Sequence, residues 1–351
     1  MLLQSEVART IADEIKVTLT PQEELQLGGA RRVNAEANDA YLRGRYYWEK
    51  RTPDDLKKAF EYFQQALEKD PRYAPAYSGI AEYYSVLPFY TRSTPDEVFP
   101  KAKAALSKAL ELDYTLAEAH GTDAYIKAYY DWDWAGAEEE FKRSLALDPN
   151  DAVVRHRYSR FLASLGRIDE ALSEVKRARE LSPLSLVVKA NVGVIYYFGR
   201  RYDQAIEELK RLLETQPGFS VAHWGLGLAY EQKRMYQQAI EEFEKVAALE
   251  KDDPNSIASL GHAYAVAGNK GAALKTLDKL NTLAKQSDVS PYQLALVYAG
   301  LGEKERAFES LEKAKVERST LLTYLKMDPR FDSLRPDPRF QDLLRRMGLA
   351  L

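Results

Sequence analysis

The four histidines are the side chains of this sequence best suited to hold a metal ion. They are His120, His156, His223 and His262, and there is no cysteine to add a thiolate ligand. Two imidazoles on one helix reach the same metal when they lie four residues apart, and no pair here has that spacing. The sequence therefore predicts neither a metal site nor a cofactor.

A second group that could do chemistry is the run Asp131-Trp132-Asp133-Trp134. Paired carboxylates can act as acid and base or hold a cation. An aspartate directly before an amphipathic segment is also a preferred helix N-cap. We favour a tight turn in which Asp133 caps the next helix and both indoles are buried, and we predict no catalytic centre.

Two further motifs have a structural interpretation that we prefer. Gly225-Leu226-Gly227 begins like a phosphate-binding loop but lacks the third glycine, so it indicates close helix packing. Asp-Pro-Arg-Phe occurs at residues 328–331 and again at 337–340. Aspartate followed by proline is an N-cap followed by a good first helical residue, which predicts helix initiation near the C-terminus.

Composition excludes several classes of partner. The 351 residues contain 50 Lys and Arg against 53 Asp and Glu, a formal charge of -3, so electrostatic capture of nucleic acid is not expected. The first twenty residues contain charged side chains among the apolar ones, and no hydrophobic run of membrane-spanning length follows. We expect a cytoplasmic chain that does not insert into a membrane, which the lack of cysteine also fits.

The elements that must position these residues are set by a repeat of 34 residues. The same amphipathic segment begins at six alanines spaced by that interval: Ala137, Ala171, Ala205, Ala239, Ala273 and Ala307. A large apolar residue lies four positions after each alanine, one helical turn away on the same face. The pattern predicts pairs of helices that stack on their neighbours.

Two earlier units, opening their second helices at Ala59 and Ala102, fit with insertions. The sequence thus predicts about eight helical hairpins over residues 34–317 and a capping segment at 318–351. Residues 1–33 form a predicted linker or capping helix. Its apolar stripe of Leu3, Val7, Ile11 and Ile15 would either cap the array or contact another domain.

With this period the chain resembles tetratricopeptide-repeat (TPR) proteins, which implies an all-α solenoid that winds as a right-handed superhelix. It also resembles, more narrowly, the C-terminal TPR regions of bacterial multidomain signalling proteins, which follow kinase, adenylate cyclase or winged-helix modules. Segments at 3–20, 41–52, 129–134 and 334–349 carry this second resemblance.

In a TPR stack the first helices of the hairpins line a concave groove, and the register places aromatic, cationic and amide side chains there. Such a mixture suits an extended peptide or a partner helix. The alternative is that the aromatic residues fill the core and the arginines are solvated. The candidate groove residues are Tyr129, Tyr130, His156, Arg157, Arg160, Asn191, Tyr197, Phe198, Trp224 and His262.

Two functions follow from these expectations. The first is a non-catalytic scaffold that binds a protein or peptide partner in the groove. The second is a regulatory module acting on a kinase, cyclase or transcriptional regulator whose own domain is absent from this chain.

Overall fold

The computed structural model describes residues 34–50, 52–89, 91, 93–285 and 289–349, and every regular element within them is helical. The predicted linker at 1–33 and its apolar stripe lie outside the described residues. Seventeen α-helices occur in the described part: α1 Ala35–Lys50, α2 Pro53–Lys69, α3 Ala74–Val86, α4 Pro95–Leu112, α5 Ala117–Ile126, α6 Trp134–Leu147, α7 Ala152–Ser164, α8 Ile168–Leu181, α9 Leu186–Phe198, α10 Tyr202–Thr215, α11 Ser220–Gln232, α12 Tyr236–Leu249, α13 Pro254–Val266, α14 Lys270–Ala284, α15 Pro291–Leu301, α16 Lys304–Val316 and α17 Pro338–Arg346. The all-α prediction is confirmed.

Helices α1 to α16 form eight consecutive pairs, so the predicted number of hairpins is confirmed. The six alanines that define the 34-residue period are all completely buried. Small residues at these places let the two helices of a hairpin approach closely, and the large residue one turn later fills the space beside them. The periodic pattern in the sequence is therefore the pattern of helix contacts.

Glycines on the first helices show how close this approach is. A Cβ atom added at Gly193 would lie 2.5 Å from Cγ of Leu209, and one at Gly227 would lie 2.7 Å from a ring carbon of Phe243. Gly225 faces Leu209 as well, at 3.0 Å. The interpretation of Gly225-Leu226-Gly227 as a packing motif is confirmed.

The turn between the two helices of a hairpin uses left-handed backbone at one repeated position. Gly166, Gly268 and Gly302 have φ of 87°, 85° and 75° there, and Arg200 and Arg234 have φ of 59° and 60°. Glycine tolerates this conformation, whereas a residue with a Cβ is strained in it. Two hairpins thus keep the turn geometry with an arginine in place of glycine.

Helix starts are fixed by side chains that accept hydrogen bonds from the first free N–H groups. Asp151, Ser185 and Asp253 cap α7, α9 and α13 in this way, at positions related by the repeat. Asp133 caps α6 by accepting from the Gly136 amide at 3.0 Å, as predicted. The two neighbouring indoles are partly buried.

The chain divides into two compact units, Met1–Thr91 with Lys101–Ala119, and Arg92–Pro100 with His120–Leu351. Within the first unit, Phe63 is completely buried, and Gly44 and Gly79 lie against its ring. The second unit holds most of α5, all of α6, the hairpins from α7 to α16 and the residues after α16. A large cluster of buried side chains in this unit runs from Ile257 to Leu349.

Residues 318–349, called the C-terminal segment below, contain two short 3₁₀ helices, Thr320–Tyr324 and Pro329–Phe331, and end with α17. Asp328 and Asp337 accept hydrogen bonds from the amides two residues later, so each Asp-Pro-Arg-Phe run starts a helix as predicted. The segment does more than cap the last hairpin, because its first half contacts helices far back in the chain.

Candidate partner-binding site

The inner face is the surface of the second unit formed by the first helices of its hairpins: α5, α7, α9, α11, α13 and α15. Eight of the ten candidate residues lie on those helices, and Tyr129 and Tyr130 lie in the turn after α5. Four of them, Tyr129, Arg160, Tyr197 and Phe198, directly contact one irregular stretch of the C-terminal segment. The expected open groove is therefore occupied by the chain itself.

A π-helical turn, Lys127–Asp131, presents Tyr129 and Tyr130 in different directions. The wider turn ends at Trp132, whose φ is 57°. Such π turns recur at functional sites because they re-aim side chains. Tyr129 is buried toward the inner face, whereas the Tyr130 ring stacks on Phe99 at 4.6 Å.

Tyr324 is the first anchor of the C-terminal segment. Its hydroxyl accepts a hydrogen bond from Nε of Arg160 at 2.8 Å and lies 2.7 Å from the hydroxyl of Tyr129. Its ring stacks on Phe198, with centroids 5.3 Å apart and planes 5° from parallel. The Arg160 guanidinium also lies over the ring at 5.3 Å, a cation–π arrangement. Tyr324 thus contacts three of the predicted groove residues.

Asp328 is the second anchor, and it is 1% exposed. Its carboxylate accepts hydrogen bonds from the hydroxyls of Tyr197 at 3.1 Å and Tyr292 at 3.2 Å. Arg330 donates to the same carboxylate from Nη2 at 2.6 Å and to Oγ of Ser259 from Nη1 at 3.2 Å. A buried charge is tolerated when it is paired and hydrogen-bonded in this manner.

The pKa values at these anchors follow from burial and charge. Burial alone would raise the pKa of Asp328, but the Arg330 guanidinium outweighs it and holds the pKa below its usual range. Burial raises the pKa of Tyr324 well above its usual value, and the same cause raises the pKa values of Tyr197 and Tyr292. At neutral pH the carboxylate is charged and the phenols are neutral.

Further contacts hold the segment at both of its ends. Arg318 donates to the backbone oxygen of Tyr130 at 3.0 Å, and Arg200 forms two hydrogen bonds with Asp332 at 2.7 and 2.8 Å. The indole N–H of Trp134 donates to the backbone oxygen of Met347 at 2.7 Å. The left-handed turn at Arg200 therefore also supplies an ion pair to the segment.

Apolar side chains of the segment are buried as deeply as the repeat core. Leu322, Leu325, Phe331, Leu334 and Phe340 are all completely buried. Fully burying side chains of this size contributes about 1.5–3 kcal/mol each. The segment is consequently an integral part of the second unit, and the prediction of a simple terminal cap at 318–351 omitted its main contacts.

The other candidate residues contribute less directly. Trp224 donates to Oγ of Ser259, the hydroxyl that also accepts from Arg330, at 3.1 Å. Arg157 is buried over the ring of Tyr125 at 5.2 Å, and His156 lies half-buried on the same helix. Asn191 is buried, and its amide nitrogen has no hydrogen-bond partner among the described residues.

Three of the histidines pair with glutamates instead of with one another. His262 Nδ1 lies 3.0 Å from Glu231, and His120 Nδ1 lies 2.6 Å from Glu140. His223 is paired with Glu242 in the same manner. Over the ranges that the structure describes, no group of three potential metal ligands occurs. His262 on α13 therefore contributes to the packing against Glu231 on α11.

The sequence analysis missed four residues that complete the site: Tyr292 on α15, Arg200 in a turn, and Tyr324 and Asp328 in the C-terminal segment. Only the Asp-Pro-Arg-Phe run that begins at Asp328 was noted, as a helix start. A signal was present in the irregular, aromatic and charged stretch before it, which lacks the helical pattern of the repeats.

The first unit has a polar cluster of its own on its first helices. Arg45 pairs with Glu82, which is 3% exposed, and the Tyr41 hydroxyl donates to Glu118 at 3.2 Å. Burial raises the pKa of Glu118. The ion pair and the hydrogen bond give each of these groups a partner, so we interpret the cluster as stabilising the fold.

Comparison with known proteins identifies the repeats. Three family models described as tetratricopeptide repeat match residues 132–190, 193–257 and 292–315. Superkiller protein 3 of Schizosaccharomyces pombe is 31% identical over 133 residues, which are 37% of this chain and 9% of that protein. The chain thus spans a small part of this curated relative.

One solved structure shows the same fold, and a second is similar in part. The yeast Tom70 structure matches with a TM-score of 0.54 at 16% identity, covering 89% of this chain and 67% of that one. The Pseudomonas aeruginosa PilF structure matches with a TM-score of 0.46 at 23% identity, covering 62% and 94%. The narrower resemblance to bacterial signalling proteins stays a prediction, because these matches concern the repeats.

No helix in the described ranges combines the length and the apolar character needed to cross a bilayer.

Proposed function

We propose that this chain is a non-catalytic scaffold that binds a protein or peptide partner on the inner face of its second unit. Tetratricopeptide repeats generally mediate protein–protein interactions, and stacked repeats offer extended surfaces for them. The observation that carries the proposal is the seating of an irregular stretch of chain on this face through a stacked tyrosine, a carboxylate and guanidinium groups.

These contacts have the character of a peptide-recognition surface. Aromatic residues and arginines dominate the binding energy of protein interfaces because they offer large contact area and directional hydrogen bonds. Arg160, Phe198 and Trp224 are such residues on the inner face. Trp224 is half-buried and therefore still partly accessible.

Site-specific photo-cross-linking tests this proposal. Benzoylphenylalanine placed at Trp224 should cross-link a partner during affinity isolation from the source cells. The matched control is the same amino acid at Leu184, which lies in the turn between α8 and α9 and is 88% exposed. Partner adducts at Trp224 and few at Leu184 are expected. Adducts at Leu184 alone, or at neither position, would contradict the inner-face assignment.

A further inference from the structure

We propose that residues 318–336 are an internal ligand of the inner face and that the partner presents the same chemistry: a tyrosine followed four residues later by an aspartate. This inference rests on the proposed function and specifies the kind of partner. It follows from the two anchors, Tyr324 and Asp328, each of which is read by side chains from different hairpins.

The inner face reads the tyrosine by shape and by hydrogen bonding. Phe198 from α9 supplies the stacking surface, while Arg160 from α7 and Tyr129 meet the hydroxyl. A phenylalanine would keep the stack and leave the Arg160 donor without its acceptor. The pocket therefore selects an aromatic hydroxyl, since buried donors without partners are destabilising.

The second position is read by hydroxyl donors. Tyr197 and Tyr292 donate to the carboxylate, and they lie on helices α9 and α15, which are three hairpins apart. Inner-face residues near the carboxylate supply donors, whereas its cationic partner, Arg330, belongs to the segment itself. A partner must thus bring a carboxylate together with its own nearby cation.

The internal ligand leaves polar groups on both sides unpaired. The Asn191 amide nitrogen on the inner face and the Thr323 hydroxyl in the segment are buried and have no hydrogen-bond partner among the described residues. A partner segment that pairs the Asn191 donor gains a contact that the internal ligand does not make. Between α16 and α17 the segment contains two short 3₁₀ helices and no α-helix, so it can open without unwinding an α-helix.

Tethering explains why such a partner must compete. A segment joined to its site by the chain has an effective concentration on the order of mM, so a free peptide of equal chemistry binds the intact chain poorly. Weakening the internal copy should expose the site. The internal segment then acts as a competitor that sets the affinity threshold for a partner.

The test uses the full chain and a fluorescein-labelled peptide of residues 318–336 as the probe, with fluorescence anisotropy as the readout. Tyr324→Ala in the chain should increase the affinity for the unmodified peptide by about tenfold or more over the unmodified chain. Asp337→Ala is the matched control, because it alters the second Asp-Pro-Arg-Phe run and should leave the affinity unchanged. A peptide carrying alanine at the positions of Tyr324 and Asp328 should not bind.

Equal peptide affinity for the unmodified chain and the Tyr324→Ala chain would overturn the proposal. If Tyr324→Ala does not fold by circular dichroism, hydrogen exchange of the unmodified chain decides. Amides of 318–336 should then exchange at least about tenfold faster than those of α9, and equal rates overturn displacement. Concentration-dependent dimers with cross-links from Trp224 to the segment of another copy would also overturn it, in favour of exchange between copies.

The peptide experiment can refute the internal-ligand inference without refuting the proposed function. The probe is the chain's own sequence, so its binding does not depend on an unidentified partner. Cross-linking at Trp224 with no displacement of 318–336 would leave the inner face as a binding surface and refute only the internal-ligand inference.

Discussion

Replacing Asp328 by alanine tests the buried anchor most sharply. The substitution removes the acceptor for Tyr197 and Tyr292 and leaves Arg330, which is 8% exposed, as a buried cation without its partner. Breaking a buried ion pair by removing one partner destabilises a protein by about 3–5 kcal/mol. We expect a loss of that size in the free energy of unfolding.

Urea unfolding followed by near-ultraviolet circular dichroism measures this loss. With a urea dependence of about 2 kcal/mol per molar, the midpoint should fall by roughly 1.5–2.5 M. Repeat arrays can unfold in stages, so hydrogen exchange of residues 318–336 should accompany the midpoint. The exchange locates the loss in the C-terminal segment.

The chain contains its own control in the second copy of the motif. Asp337→Ala removes the same N-cap and the same pairing with an arginine two residues later, but on the surface. Its effect should be much smaller than that of Asp328→Ala. The double change Asp328→Ala with Arg330→Met should recover most of the loss, because it removes the unpaired charge. Equal losses at Asp328 and Asp337 would refute the reasoning.

Three further outcomes are expected. Arg234→Gly should raise the free energy of unfolding by about 0.5–1 kcal/mol, because glycine adopts the left-handed backbone without strain. Arg200→Gly should raise it less, because this change also removes the ion pair with Asp332. Thermal unfolding of both variants measures the difference. Burial raises the pKa of Tyr324 in the folded chain above the value of about 10 in the unfolded chain. The stability that results is complete below about pH 10 and is lost as the pH rises toward the raised pKa. In an alkaline titration the Tyr324→Phe chain should lose ellipticity less steeply than the unmodified chain, and identical curves would contradict this. Gly193→Ala places a Cβ 2.5 Å from a leucine carbon across the hairpin, so it should lower the free energy of unfolding by about 1–3 kcal/mol, measured by urea unfolding. An unchanged free energy of unfolding would mean that the two helices can separate to make room.

The repeat architecture could be predicted because its determinants are local. Each buried alanine and the large residue one turn later belong to one helix, and the 34-residue spacing repeats the same contact. Caps such as Asp133 and Asp328 were predictable for the same reason, since a cap bonds to amides two or three residues away. Contacts between residues close in the chain, repeated at a fixed interval, can be predicted from a single sequence.

The site could be predicted only in part. Register placed Tyr129, Arg160, Tyr197 and Phe198 on the inner face, but register does not show what lies against them. The contact between Tyr129 and Tyr324 joins residues 195 positions apart, and no periodicity encodes such a pair. The π turn that aims Tyr129 inward also escapes a pattern that assumes regular helix.

The contacts of Tyr324 and Asp328 bear on how the protein is made. A repeat array ordinarily needs only its neighbours, so each hairpin can assemble as it leaves the ribosome. Here Arg160 and Tyr197 contact residues 164 and 131 positions further on, which are synthesised well after them. The nascent array therefore leaves this aromatic surface uncovered until Tyr324 and Asp328 have been translated, and during that interval a chaperone can reach it.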